Sequence, residues 1–280
     1  MRIGDYDLSA AIRTPIGVRY EATHRLLPRR AVIELREARA GARAEAIRLL
    51  KQACLLDALH HPAIPRVFEC GVLGGNPWVA FERVDAVPLE VELRAGALDI
   101  DDVLEILDGV AGALAHAHAR GVLHRDISPT SILVRAIGRA CPVVLASWTS
   151  ACTHDAELRL PIRGPMRFRA PEVLEDDAID GRADVFSLGA VMKEVLASIG
   201  DPHADLAPLL ARMTSVEKVE RPSAAEVRME VRALRAARTA EPAAVVPERS
   251  RPLRWTPHIE PAAAPSSAPA PRGPRTRPRG

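Results

Sequence analysis

The densest group of side chains able to do chemistry is His124-Arg125-Asp126, followed at once by the hydroxyls of Ser128, Thr130 and Ser131. A carboxylate in that setting serves either as a general base toward a hydroxyl or as an acceptor of hydrogen bonds within its own loop. Other chemistries find no support. No H-E-x-x-H, G-x-S-x-G or G-x-x-x-x-G-K-[ST] pattern occurs. His116 and His118 lie two apart on a helical stretch, so they face different ways and make a poor metal pair. Cys54, Cys70, Cys141 and Cys152 contain no C-x-x-C pair and read as reduced, buried thiols of a cytoplasmic protein.

The elements that must position this group come from pattern and composition. The chain has 280 residues, 48% apolar and 26% charged, enough for one large domain or two lobes. Lys plus Arg total 38 and Asp plus Glu 36, a net charge of +2. That near balance argues against a dedicated nucleic-acid binder, and 3% aromatic residues disfavour a base-stacking platform. No apolar run of about 18 residues exists, so no membrane span is expected. Acids stand in Met1–Asp7 where a signal peptide needs an apolar stretch. Ala31-Val32-Ile33 and Trp78–Phe81 read as strands. Residues 42–59 repeat apolar positions at helical spacing, as do 103–120, which Gly121 closes. Further helices are expected over 183–198 and 223–237, the latter opened by a Ser223/Glu226 capping box. Strands first and helices after predict a two-lobed α+β protein.

The last 40 residues differ. From Glu241 to Gly280 there are seven Arg, three Glu and ten Pro, a local charge of +4 that leaves −2 for the rest. Such a segment buries too little apolar surface to offset its ordering entropy, and is expected to be disordered with polyproline II character. Its basic end, 271–279, reads as a solvated tail; an acidic partner or an SH3-type groove is the alternative.

His124–Asp126 also carries a resemblance. His124-Arg125-Asp126-Ile127-Ser128-Pro129-Thr130-Ser131-Ile132-Leu133-Val134 resembles the catalytic loop of a protein kinase, H-R-D-x-x-x-x-N before an apolar strand. Five landmarks accompany it in family order. His61-Pro62-Ala63-Ile64 resembles the turn behind helix C, and Phe81-Glu82-Arg83-Val84 the hinge between lobes. Ala170-Pro171-Glu172 resembles the end of the activation segment, Asp184–Gly189 helix F, and Arg221-Pro222-Ser223 the approach to the last helix. The resemblance covers about residues 6 to 236 and points to the bacterial Ser/Thr kinase group. It implies a two-lobed kinase-like fold: an N-lobe at 1–83, a shortened C-lobe at 84–236 with the helix G region deleted near 201, and a tail at 237–280. It also implies that Asp184 holds the catalytic-loop backbone and that Glu172 pairs with Arg221.

The resemblance implies that the chemical parts are degenerate. The first two glycine positions of the phosphate loop hold Ile12 and Thr14, with Pro15 beside them; only Gly17 matches. The phosphate-binding Lys is replaced by Glu34, and its helix C partner by Gln52. A unit charge reversed about 4 Å from a phosphate repels it by roughly 4 kcal/mol at an effective dielectric near 20. Arg19 faces the same cleft, so either it contacts Glu34 or each side chain reaches solvent alone. The two Mg²⁺ positions hold Ser131 and Ser147, and neither hydroxyl replaces a carboxylate. Val32 and Phe81 add bulk above and behind the base pocket, whose floor falls to Leu133. Leu56, His124 and Trp148 fall on an apolar spine linking the lobes. Arg125 is expected to reach a phosphate on Ser150 or Thr153.

Three readings follow. In the first, Asp126 is a remnant, ATP and Mg²⁺ bind weakly or not at all, no metal or cofactor is held, and the chain is a pseudokinase. It then acts as a scaffold for a protein partner such as an active kinase or another signalling component. In the second, a divergent Ser/Thr kinase uses Asp126 as base, with Arg19 replacing the missing Lys. In the third, metal-free nucleotide binding acts as a switch.

Overall fold

The computed structural model describes residues 1–14, 17–36, 49–50, 53–136, 138–153, 164–175, 178–200 and 205–240. Six strands form one antiparallel sheet: β1 (Arg2–Ile3), β2 (Tyr6–Thr14), β3 (Gly17–His24), β4 (Arg30–Arg36), β5 (Val67–Leu73) and β6 (Asn76–Glu82), in the order β1-β2-β3-β4-β6-β5. Alternation decides which face each side chain joins. In β4, Ala31, Ile33 and Leu35 are buried with Tyr6 and Trp78 in an outer core. Val32 and Glu34 therefore point the other way. On that inner face Val79 of β6 is buried with Leu49 and Ala53, from a helical segment described at 49–50 and 53–57. The β5–β6 hairpin turns on Gly74 and Gly75, both at positive φ (56° and 82°), the requirement of a two-residue type I′ turn.

Past the short strand β7 (Val87–Pro88), helices dominate: α1 (Leu89–Ala95), α2 (Ile100–His118), α3 (Pro171–Leu174), α4 (Gly181–Ile199), α5 (Ala207–Met213) and α6 (Ala224–Ala240). Short strands β8 (Val122–Leu123), β9 (Ile132–Val134), β10 (Val144–Leu145) and β11 (Cys152–Thr153) carry the loops between α2 and α3. Val103, Leu107, Val110 and Leu114 of α2 and Val185, Leu188, Met192 and Val195 of α4 recur at three- and four-residue steps, and all lie in one core. The mixed α+β, kinase-like architecture agrees with the sequence expectation.

Boundaries shift in informative ways. α2 starts at Ile100 rather than 103, because Asp99 and Asp102 form a reciprocal cap. It ends at His118, and Gly121 takes the left-handed turn that follows (φ 72°). Ser223 and Glu226 cap α6 as expected, with Glu226 N–H donating to Ser223 Oγ at 3.3 Å and Ser223 N–H to Glu226 Oε2 at 2.7 Å. That helix runs to Ala240, three residues past the end expected at 237. The expectation of four buried thiols is corrected. Cys152 is buried and Cys141 half-buried, but Cys54 and Cys70 are exposed, since β5 is the edge of its sheet and Cys54 lies off the buried stripe of its helix. Pro15, Gln52, residues 201–204 and the tail from 241 lie outside the described residues, with the expectations placed on them.

The C-lobe is braced by a buried ion pair. Arg221, 1% exposed, meets Glu172 bidentately, Nη1 to Oε1 at 2.7 Å and Nη2 to Oε2 at 3.0 Å. Its remaining donors go to the carbonyls of Ser215, Val216 and Arg182, and the Phe186 ring lies 4.9 Å from its guanidinium carbon. Satisfying every donor is what makes a buried pair tolerable; removing one partner strands a charge and costs about 3–5 kcal/mol. Arg221→Met is therefore expected to lower the Tm by roughly 6–20 °C, read by calorimetry. A drop of under about 2 °C would mean that the pair does not brace the lobe.

Candidate functional site

A cavity of about 220 Å³ opens between the inner face of the sheet and the loops after α2. That is below the roughly 300–1,000 Å³ usual for ligand sites. Val32 and Phe81 stand opposite each other across β4 and β6 and line it. Leu133, Leu56, Ala146, Ser147 and Trp148 line it as well. Every residue assigned to the pocket from the sequence (Arg19, Val32, Glu34, Phe81, Leu133, Ser147) lines it.

The cleft's charges are paired within it. The β3–β4 register sets Arg19 opposite Glu34, so both side chains leave the same face. Arg19 Nη2 donates to Glu34 Oε1 at 2.6 Å, which resolves the two alternatives in favour of contact. Arg36, two residues beyond Glu34 on the same face, places Nη2 3.9 Å from the other oxygen. Glu82 on the cavity wall is likewise engaged, accepting from Arg139 Nη1 at 2.6 Å and from the Arg66 N–H at 3.1 Å. The period of two along β4 was enough to find Arg36; nothing local announces Arg139, 57 positions from its partner.

Gly17, the one match to the phosphate loop, has a structural reason to be glycine. Its φ is 154°, and a Cβ there would sit 2.0 Å from the Leu35 carbonyl oxygen. The residue permits close approach of β3 to β4, and needs no phosphate to explain it.

The catalytic-loop residues are gathered by Asp184, which is 1% exposed. Its Oδ2 accepts from the His124 N–H at 2.8 Å and lies 2.9 Å from His118 Nε2; its Oδ1 accepts from the Arg125 N–H at 2.7 Å. Burial alone pushes this carboxyl up, but the His118 hydrogen bond, the neighbouring His118 and the His124 backbone donor outweigh it and hold it below the usual range. The cage sustains a left-handed Arg125 (φ 69°), a conformation that costs about 1–3 kcal/mol without such support. His124 is fully buried, and burial pushes its pKa down. The neutral ring donates from Nε2 to the Ala146 carbonyl at 2.9 Å, accepts the Asp126 N–H at Nδ1 (3.2 Å) and meets the Trp148 ring edge-on at 4.5 Å. Leu56 and Trp148 share one core, as the expected spine requires.

Asp126 faces the segment before α3. Its Oδ1 accepts the Gly164 N–H at 2.9 Å. At the metal positions, Ser131 is 2% exposed, and its hydroxyl donates to the Ser128 carbonyl at 3.0 Å while accepting the Ser128 N–H at 2.9 Å. Ser147 lines the cavity in a left-handed turn (φ 63°). A divalent ion that bridges phosphates needs hard, charged oxygens. Of positions 126, 131 and 147, one offers a carboxylate, and no described group of three or more His, Cys, Asp or Glu is placed to hold a metal. These residues do not fit Mg²⁺.

The phosphate expected near Arg125 is corrected in part. Arg125 is 9% exposed and its Nη1 donates to the Ser150 carbonyl at 3.3 Å, while Ser150 itself is 1% exposed and closed to a modifying enzyme. Thr153 pairs with Val122 in the β11–β8 ladder.

The comparisons with known proteins agree with this geometry. Residues 29–237 match the family described as protein tyrosine and serine/threonine kinase. The serine/threonine-protein kinase PknJ of Mycobacterium tuberculosis is 35% identical over 153 residues, covering 53% of this chain and 26% of that protein. Serine/threonine-protein kinase PknF of the same species is 30% identical over 214 residues, covering 71% of this chain and 44% of that one. The chain thus spans about a quarter to under half of the length of these relatives. Among solved structures, the kinase domain of Mycobacterium tuberculosis PknI superposes with a TM-score of 0.66 at 24% identity, over 83% of this chain and 97% of that one, a likeness of fold. Among the described residues, no helix is long and apolar enough to cross a membrane.

A Cβ at position 164 would stand 2.1 Å from Asp126 Oδ1. Gly164→Ala is therefore expected to cost about 1–3 kcal/mol by denaturant unfolding, by crowding that oxygen and breaking a charge-assisted bond. In an Asp126→Ala background the same change should cost under about 0.5 kcal/mol, the level at which separate sites simply add. Equal costs in both backgrounds would show that Asp126 does not hold this segment.

Proposed function

We propose that this chain, which belongs to the protein tyrosine and serine/threonine kinase family, acts as a pseudokinase: a protein-binding module without efficient Mg-ATP-dependent phosphoryl transfer. The observation that carries the reading is the pairing of Glu34 with Arg19 at 2.6 Å where the family pattern calls for a phosphate-binding Lys. Phosphoryl transfer depends on neutralising triphosphate charge and positioning it, with little covalent work by the protein. Here the Arg19 guanidinium that lines the cleft is paired with a carboxylate of the cleft itself. A triphosphate entering beside Glu34 would have to break that pair and face the freed carboxylate. The serines at 131 and 147 supply no charge to an ion that could offset this.

The divergent-kinase reading, with Arg19 in place of the Lys, has one supporting observation: the Arg19 side chain lines the cavity and is 44% exposed. Its bond to Glu34 and the missing carboxylates weigh against it. The framework kept intact around Asp184 and the Glu172–Arg221 pair supports a folded surface as the working part. A cytoplasmic partner protein, an active kinase or another signalling component, is what that surface would serve.

Thermal unfolding with ATP and Mg²⁺, set against ATP with EDTA, tests the reading. A ligand at a hundred times its Kd stabilises the folded state by about 2.7 kcal/mol. No Mg²⁺-dependent shift is expected, in this protein or in Glu34→Lys, because the metal positions stay empty of carboxylates. A Mg²⁺-dependent shift together with γ-phosphate transfer that disappears in Asp126→Asn would overturn the proposal.

A further inference from the structure

Two exposed thiols lie together outside the cleft. Cys70 pairs with Val79 across the β5–β6 ladder. Directly paired residues of antiparallel strands project from the same face, so Cys70 stands on the inner face of the sheet. Val79 is buried there with Leu49 and Ala53. The helical segment thus lies over the sheet at that register, and Cys54 follows Ala53 directly in the chain. Both cysteines are exposed, Cys70 on the edge strand and Cys54 at the rim of the helix that covers it. Asp57, three residues after Cys54, shares its helical stripe. Burial first, then Cys54, Glu69 and Asp57, push the Cys70 thiol up.

We propose that Cys54 and Cys70 are an oxidation site, at which a peroxide closes a disulfide between the helical segment and the sheet edge. The Cys54 sulfur, as thiolate, attacks one peroxide oxygen; the O–O bond breaks, hydroxide leaves and takes up a proton, and Cys54 becomes a sulfenic acid. The Cys70 sulfur then attacks the Cys54 sulfur. The S–S bond forms, the S–O bond breaks, and the departing hydroxyl leaves as water with the Cys70 proton. The two thiols lose two electrons and the peroxide gains them. Leu56, in the same helical segment, lines the cleft cavity, so the bond would fix one wall of that cavity whether or not the cleft takes a nucleotide.

The test is hydrogen peroxide treatment of the full chain, alkylation and non-reducing peptide mass spectrometry. The expected product is a cross-linked pair of peptides carrying Cys54 and Cys70, lighter by two hydrogen atoms than their sum. It should form intramolecularly, be reversed by dithiothreitol and be accompanied by a higher Tm. Cys54→Ser and Cys70→Ser, both at exposed positions, should each abolish the cross-link and the rise in Tm. Cα atoms farther apart than about 7 Å cannot be bridged without backbone movement. In that case Cys54 and Cys70 would be recovered as separate thiols or separate sulfenic acids, and that result, or a link made only between molecules, would overturn the proposal.

Discussion

The pairing of β3 with β4 puts a guanidinium and a carboxylate face to face on the only side of the sheet that looks into the cleft. Register fixes this before any ligand arrives. A one-residue slip would send Glu34 into the outer core beside Tyr6 and Trp78 and turn Ile33 and Leu35 toward the cleft, so the hydrophobic pattern of β4 enforces the charge pair. With Arg36 close to the second oxygen, Glu34 is held from both sides, and Val32 and Phe81 line the cavity with it. A cleft built this way already holds Glu34 against two guanidiniums.

The remainder of the molecule separates support from chemistry. Asp184 still gathers three groups from two segments, and Arg221 still places every donor. Both are buried ionic groups whose partners are costly to remove. Positions that the family pattern assigns to the nucleotide also make contacts within the protein. Ser131 closes its own loop, Asp126 secures the backbone at Gly164, and Gly17 makes room for Leu35. Each of these contacts stabilises the fold and keeps the shape of the family.

Much of this was legible in the residues. The Glu172–Arg221 pair, the Asp184 cage and the six pocket residues are what the family resemblance implies, and the Arg19–Glu34 contact is one of the two alternatives it leaves open. Ser223 and Glu226 declared their cap. What escaped involves information that a local window lacks. The long β2–β3 hairpin is mostly exposed at Leu8–Arg13, where Leu8, Ala10, Ala11 and Ile12 do not alternate with polar residues, so β2 carries no period of two to read. Asp99 and Asp102 extend α2 upstream of its apolar stripe, since caps act on backbone donors and not on the core. Arg139 on Glu82 and Gly164 on Asp126 join residues far apart in the chain. The exposure of Cys54 and Cys70 depends on which strand ends the sheet, a topological fact that composition does not contain.

Calorimetric titration of a magnesium-bound, non-hydrolysable ATP analogue into the chain addresses the cleft directly, because it reports affinity rather than turnover. The account predicts no saturable heat up to about 1 mM, less than roughly 4 kcal/mol of binding free energy. One-to-one binding in the micromolar range that vanishes on chelating the magnesium would contradict it.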